Sequence, residues 1–183
     1  MRQSQAVALV IGICAASLLG CNSRPHAPEL SDEPVYVNDH LGVRFLAPEG
    51  WTQHAKADVP SGKLEKERLL VRYERPGSAN SAVLEVTVAD LPVSLDLNTY
   101  LTGAAYGAEK WRLARPAEEF SVEGSAAVRY VLSARVRGEE TTREVVVFLR
   151  GERIFFFTGI FASKNSSARS EVRGAVQSVL WKS

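Results

Sequence analysis

Cysteine is nearly missing from this chain. Cys14 and Cys21 are the only two among 183 residues, so no disulfide can staple anything beyond residue 21. Neither sign of charge dominates: 22 Lys and Arg stand against 21 Asp and Glu. Nucleic-acid binders carry a basic excess or stripe because phosphate neutralisation governs their affinity, and that class is excluded. No apolar run approaches the roughly twenty residues that span a bilayer core. The run from Ala6 to Leu19 has fourteen. Histidine is equally scarce. His26 lies in a proline-containing stretch, while His40 beside Asp39 and His54 beyond Trp51 flank one strand and its turn. Their spacing matches no metal motif, and they read as loop histidines. No serine sits in a Gly-x-Ser-x-Gly elbow. The pairs Glu118-Glu119 and Glu139-Glu140 fall beside turns, where neighbouring side chains point to opposite faces and both are solvated. These absences predict no catalytic residue, no metal and no cofactor.

The amino terminus is more informative. Arg2 precedes the Ala6–Leu19 run, which ends in Leu18-Leu19-Gly20-Cys21. A positive start, a short apolar segment and small residues at its end read as a cleaved export signal. The last four residues resemble the lipobox of bacterial lipoproteins. The resemblance implies diacylglycerol on the Cys21 thiol and cleavage just before it, so residues 1–20 are the signal peptide. Each buried lipid methylene contributes about 0.8 kcal/mol, so two or more chains anchor a protein stably. Position 22 is Asn rather than the Asp that resembles an inner-membrane retention signal. In a cell with two membranes this favours an outer-membrane protein facing the periplasm. Both cysteines are then accounted for, Cys14 leaving with the signal and Cys21 carrying the lipid.

Residues 21–34 follow as lipidated cysteine and tether. Asn22 to Pro34 holds Pro25, Pro28 and Pro34 among polar residues and has only Arg24 against Glu29, Asp32 and Glu33. With no polybasic segment to seek anionic lipid, the acyl chains do the anchoring. Thirteen extended residues reach roughly 40 Å at about 3.1 Å each. Removal of the signal leaves about 160 residues, enough to bury about two-thirds of the unfolded surface in one domain.

That domain is expected over 35–183. Residues 41–47 partly alternate apolar with polar or small side chains and stop at Pro48-Glu49-Gly50, a strand and a turn before Trp51. Strands follow at 69–73 and 82–89, joined through a mobile loop at 75–80. In the second, Val83, Glu85 and Thr87 face one way and Leu84, Val86 and Val88 the other. From Asp96 as N-cap, Leu97, Tyr100, Leu101 and Ala104 recur at helical spacing before Gly107. Residues 126–137 place Val128, Tyr130, Leu132 and Val136 on one face and Arg129, Ser133 and Arg135 on the other. Residues 145–149 and 154–157 are apolar on both faces. Joined by Arg150-Gly151-Glu152, they form a hairpin at the centre of a sheet. A closing helix over 168–181 carries Ala168, Val172, Ala175, Val176, Val179 and Leu180 as one stripe, with Ser166 or Ser167 available to cap.

The start Gly42-Val43-Arg44-Phe45-Leu46-Ala47-Pro48-Glu49-Gly50-Trp51, the aromatic strand over 154–161 and the helix after it resemble PsbP-like domains and the related DcrB-like and LpqN-like bacterial lipoproteins. The resemblance spans about 150 residues. It implies an α+β fold, an antiparallel β-sheet covered by helices in an α/β/α sandwich. It implies no shared chemistry, since members serve as photosystem subunits, a Ran-binding factor, effector chaperones and envelope lipoproteins. Candidate binding residues follow from position. Arg129, Arg135 and Arg137, with Arg143 on the next strand, are placed as a positive stripe on a wet sheet face, partly neutralised by Glu140 and Glu144. Trp51 is placed at the sheet edge and, with Tyr106, at the mouth of a pocket between sheet and helix. Trp51, Trp111, Trp181 and Phe155-Phe156-Phe157 read first as core and second as pocket wall. Two functions stay open: a non-enzymatic binding or assembly module that meets an envelope protein, and a pocket for a small apolar ligand or lipid. Oligomeric state is not readable.

The wild-type protein is expected to incorporate labelled fatty acid in cells and to partition into a detergent phase, and Cys21→Ala to do neither. Absence of label on the wild type would overturn the lipobox reading.

Overall fold

The computed structural model describes residues 34–54, 64, 66–77 and 81–182. Cys21 and the tether before Pro34 lie outside the described residues, as do residues 78–80 of the expected loop. In chain order the elements are β1 (Val35–Asn38), β2 (Val43–Leu46), β3 (Thr52–His54), β4 (Arg68–Arg75), β5 (Ala82–Asp90), α1 (Leu97–Thr102), β6 (Arg112–Leu113), β7 (Glu118–Val122), β8 (Ser125–Val136), β9 (Glu139–Arg150), β10 (Arg153–Ala162), α2 (Ser166–Gln177) and β11 (Leu180–Trp181). All belong to one unit, Glu33–Ser183.

An antiparallel sheet in the order β3-β4-β5-β10-β9-β8-β6, with β7 also paired to β8, forms the middle layer. The run of apolar residues in β9 and β10 places both at its centre, as expected, because strands apolar on both faces need cover on both. Their turn is Gly151-Glu152. The β8–β9 connection is the two-residue turn Arg137-Gly138, both at positive φ (51° and 85°), the backbone of a type I′ hairpin. That turn fixes the register, with Arg135 opposite Glu140 and Leu132 opposite Arg143.

Each sheet face has its own core. Leu84, Val86, Val146, Phe148, Phe155 and Phe157 pack against Ala168, Val172, Ala175 and Val176 of α2. On the other face Tyr130, Leu132, Val145, Val147 and Phe156 pack against Leu101 of α1 and Trp111. The sandwich expected from the sequence is present: α+β, a sheet between helical layers. The α2 layer contains more than a helix. β1, β2 and β11 form a separate three-stranded sheet whose inner side chains, Tyr36, Val43 and Phe45, join the α2-side core.

Three expectations need correction. The single strand at 41–47 is β2 alone, with β1 before it. The closing helix ends at Gln177, and its N-cap is Asn165, whose side chain accepts from the Ala168 amide. Leu180 and Trp181 then pair with Arg44 and Val43 in β11. This departure lets the Trp181 ring reach Phe155 and Phe148, with centroids 4.8 and 5.5 Å away. Third, α1 stops at Thr102, before Ala104. Its N-cap is Asp96 as expected, accepting from Asn98 and Thr99.

α2 lies close enough to β10 to need a residue without a side chain. A Cβ built on Gly159 would meet Val172 Cγ1 at 2.6 Å and Phe161 Cε1 at 3.2 Å. Gly159→Ala is therefore expected to lower stability by about 1–3 kcal/mol through overpacking, despite the backbone entropy it removes from the unfolded chain. Urea unfolding measures this, and an unchanged or raised midpoint would show that α2 relaxes away without loss.

Candidate functional site

The α1 face of the sheet carries the denser group of polar side chains, and it builds up from a helix end. α1 leaves carbonyls without intrahelical partners at its last turn. Arg143, in the middle of β9 between Leu132 and Ile160, supplies a donor: its Nη1 donates to Leu101 O at 2.9 Å. The chain then folds back through a small bridge, Ala105 to Ala108, held by Trp111, whose Nε1 donates to Ala105 O at 3.0 Å. This turn puts Tyr106 at φ 53°, a left-handed conformation that a bulky side chain adopts only under surrounding constraint. The constraint is visible. The Tyr106 ring lies under the Arg143 guanidinium, 5.0 Å from carbon to centroid, and its hydroxyl donates to Glu85 Oε2 at 2.6 Å. The other Glu85 oxygen accepts from Arg72 Nη1 at 2.6 Å.

Glu67, just before β4, has a similar role. It accepts from the Tyr100 hydroxyl at 2.9 Å and from the Leu64 amide at 3.4 Å. Glu67, Glu85 and Arg143 are all buried, and Arg143 Nε makes no hydrogen bond. Burial first, and then the neighbouring carboxylate, push the phenols of Tyr106 and Tyr100 well above their ordinary range. Burial also pulls the Arg143 guanidinium down. The arrangement keeps two neutral phenols as donors to two carboxylates. Beside it a cleft of about 390 Å³ opens, lined by Tyr106, Val83, Val136, Thr141 and Ile160 with Arg137 and Glu139 among its other walls.

The α2 face holds a second polar group. Glu144, 2% exposed, takes both Nε and Nη2 of Arg173 from α2, at 2.7 and 2.9 Å. Arg129 Nε lies 3.2 Å from the same carboxylate but off hydrogen-bond geometry, while its Nη1 donates to Glu118 at 3.2 Å. The Arg129 guanidinium also sits 4.3 Å over Phe120. A bidentate pair between a half-buried arginine and a buried carboxylate ties the helix to the sheet.

The candidate binding residues named from the sequence therefore do not converge. Arg129 and Arg135 do share a face, but Arg143 lies on the opposite one, because the Arg137-Gly138 turn sets it against Leu132. The expected wet stripe is further broken because Arg129 is buried, with its guanidinium against Phe120 and Glu118 of β7 and beside Glu144. Arg135 is exposed and Arg137 belongs to the turn. Neutralisation by Glu144 is realised at Arg129, and Glu140 stands opposite Arg135. Trp51 does precede the edge strand β3, yet it is buried. Its Nε1 donates to Glu171 Oε2 of α2 at 2.6 Å, and Ser167 and Arg75 hold the other oxygen of Glu171. Trp51 lies on the α2 face and Tyr106 on the other, so they share no pocket mouth.

His54 lies 3.3 Å from Glu74, and Asp39 lies 3.7 Å from Lys182. Among the described residues no group of three or more His, Cys, Asp and Glu is placed to hold a metal. Sequence reasoning missed Glu67, Glu85 and Tyr100. The signal available was Glu85 and Thr87 on one face of an otherwise apolar strand, which reads as solvent-facing unless another segment is known to cover it.

No protein-family model matches the chain. No curated protein matches it either. Solved structures do. The solution structure of cyanobacterial PsbP (CyanoP) from Synechocystis sp. PCC 6803 superposes with a TM-score of 0.56 at 16% identity, covering 81% of this chain and 92% of that one. A crystal structure from Bacteroides thetaiotaomicron VPI-5482 gives 0.51 at 8% identity, over 82% of this chain and 49% of that one. The Saccharomyces cerevisiae Ran-binding protein Mog1p gives 0.49 at 11% identity, over 82% and 95%. The CyanoP superposition shows a PsbP-like fold.

All five tyrosines have raised phenol pKa values, chiefly through burial; Tyr73 is pushed up to about 12. Groups whose folded pKa exceeds the unfolded value near 10 contribute stability that is complete below pH 10 and is lost as pH rises through the folded value. The native protein is thus expected to show its tyrosinate absorbance rise displaced above pH 10. It should lose stability from about pH 10 through about 12 and ionise its tyrosines as it unfolds. Spectrophotometric titration beside circular dichroism tests this, and a tyrosinate step at pH 10 with the fold intact would contradict it.

Proposed function

We propose that this chain is a lipid-anchored protein of the bacterial envelope whose PsbP-like domain works as a non-enzymatic binding or assembly module for another envelope protein. The observation that carries the reading is Leu18-Leu19-Gly20-Cys21 placed thirteen residues ahead of a domain that starts at β1. The tether gives the domain reach without freedom to leave the membrane. Support comes also from how the buried ionisable groups are used. Glu144 joins α2 to the sheet, Arg143 closes α1, and Glu85 holds the turn at Tyr106. Those groups serve the fold, which leaves recognition to surfaces.

A second reading is favoured by the cleft beside Tyr106. Its walls combine Val83, Val136 and Ile160 with a tyrosine and a threonine, the mixture that suits a small, mostly apolar ligand with one polar end. Here Tyr106 would border the ligand and Arg143 would lie behind its ring.

In-cell crosslinking and pull-down separate the two. Wild type and Cys21→Ala, the latter exported by a different signal, are compared. Reproducible protein partners captured by the anchored form and lost from the soluble one are the expected result. Capture of no protein by either form, together with a small molecule retained by the purified domain in native mass spectrometry, would replace the first reading with the second.

A further inference from the structure

Among the described residues, eight large apolar side chains are exposed, and three of them, Val35, Val37 and Leu46, stand on one small surface. That surface is the outer face of the three-stranded sheet. Register builds it: Val35 pairs with Leu46, Val37 with Arg44, and Arg44 in turn with Leu180. Alternate residues point inward, which is why Tyr36, Val43 and Phe45 are core while their neighbours are not. The result is an apolar face with one exposed arginine inside it. A shallow hollow of about 360 Å³ indents the face, walled by Val35, Leu46 and Leu180 together with Arg44, Glu123 and Gln177. The large sheet has a cover on each side; among the described residues this small sheet is covered only on its inner side.

Its position in the chain names the occupant. Val35 is the first residue of β1 and follows directly on Pro34, the end of the tether. A domain held by Cys21 is pulled toward the bilayer at this point before any other. Resting on lipid needs only a weak patch, because the anchor supplies the effective concentration. Valine and leucine side chains suit the acyl boundary, and a guanidinium among them suits lipid phosphate.

We propose that the outer face of the β1-β2-β11 sheet docks on the phospholipid surface, with Val35, Val37, Leu46 and Leu180 toward the acyl boundary and Arg44 on phosphate. The domain then lies on the membrane with the Tyr106 cleft, on the far side of the large sheet, turned away from it. This orientation rests on the lipid anchor read at Cys21, but its test does not.

The processed protein, residues 21–183, has Cys21 as its only thiol and contains the whole folded unit. It can be coupled chemically to maleimide-headgroup lipid in phosphatidylethanolamine and phosphatidylcholine vesicles, whether or not cells lipidate it. Val37→Trp and Leu113→Trp place reporters on exposed sites, the second on β6 at the far edge of the large sheet. With native emission subtracted, Val37→Trp is expected to lose fluorescence in vesicles with brominated acyl chains, and Leu113→Trp to keep it. Adding Leu46→Asp to the Val37→Trp chain should restore the signal. Equal loss at both positions, or no loss at position 37 in chains shown by flotation to be attached, would overturn the proposal. So would shielding of position 37 that grows with protein density and ignores bromine, which would assign the face to a second copy or another protein. Failure of fatty-acid labelling in cells would instead remove the anchor and leave this result standing.

Discussion

A strand that is apolar on both sides cannot face water on either, and β10 is such a strand from Ile154 to Phe157. With β9 beside it, the middle of the sheet requires two covers, and almost every other feature follows from how each cover is made. On one side α2 approaches so closely that position 159 must be glycine. A small sheet takes up the rest of that side, with Phe45 edge-on to Phe157 at 5.3 Å. On the other side α1 is only six residues long, too short to cover the face alone. The irregular segment after it completes the layer, with Trp111 wholly buried.

Covering a sheet with short or irregular pieces leaves polar groups inside, and each must be matched where it lies. The strands answer with charged residues at positions that would otherwise be apolar. Arg143 meets the open end of α1, Glu85 meets the Tyr106 hydroxyl, and Glu144 meets Arg173. These residues look like a reactive constellation when counted as types. Their partners show instead that they hold the covers in place.

In the proposed arrangement a lipid on Cys21, a tether with Arg24 against three acids and an apolar face beginning at Val35 would give the outside of the domain a direction. One side of the domain would turn to the membrane, and the large sheet separates that side from the cleft beside Tyr106. A protein partner or a small ligand would then approach from the side away from the lipid. In that arrangement the anchor would do more than confine the domain, because it would select which surface remains available.

Local signals were legible in the residues alone: the Asp96 cap, the β9–β10 hairpin, and the alternation that places Arg129 and Arg135 together. Each depends on neighbours in sequence or on a period of two, and needs no knowledge of what packs above. The short strands β1, β6, β7 and β11 were not legible, because two to five residues carry too little pattern. Nor was the end of α2, where the apolar stripe continues through Leu180 but the Trp181 ring gains more from Phe155 and Phe148 in a strand than in another helical turn. The sequence by itself determined which side chains share a strand face. The tertiary structure alone decided which faces are wet, because burial of Arg143 and Glu85 is conferred by segments distant from them in the chain, α1 and the turn at Tyr106, whose positions no local period encodes.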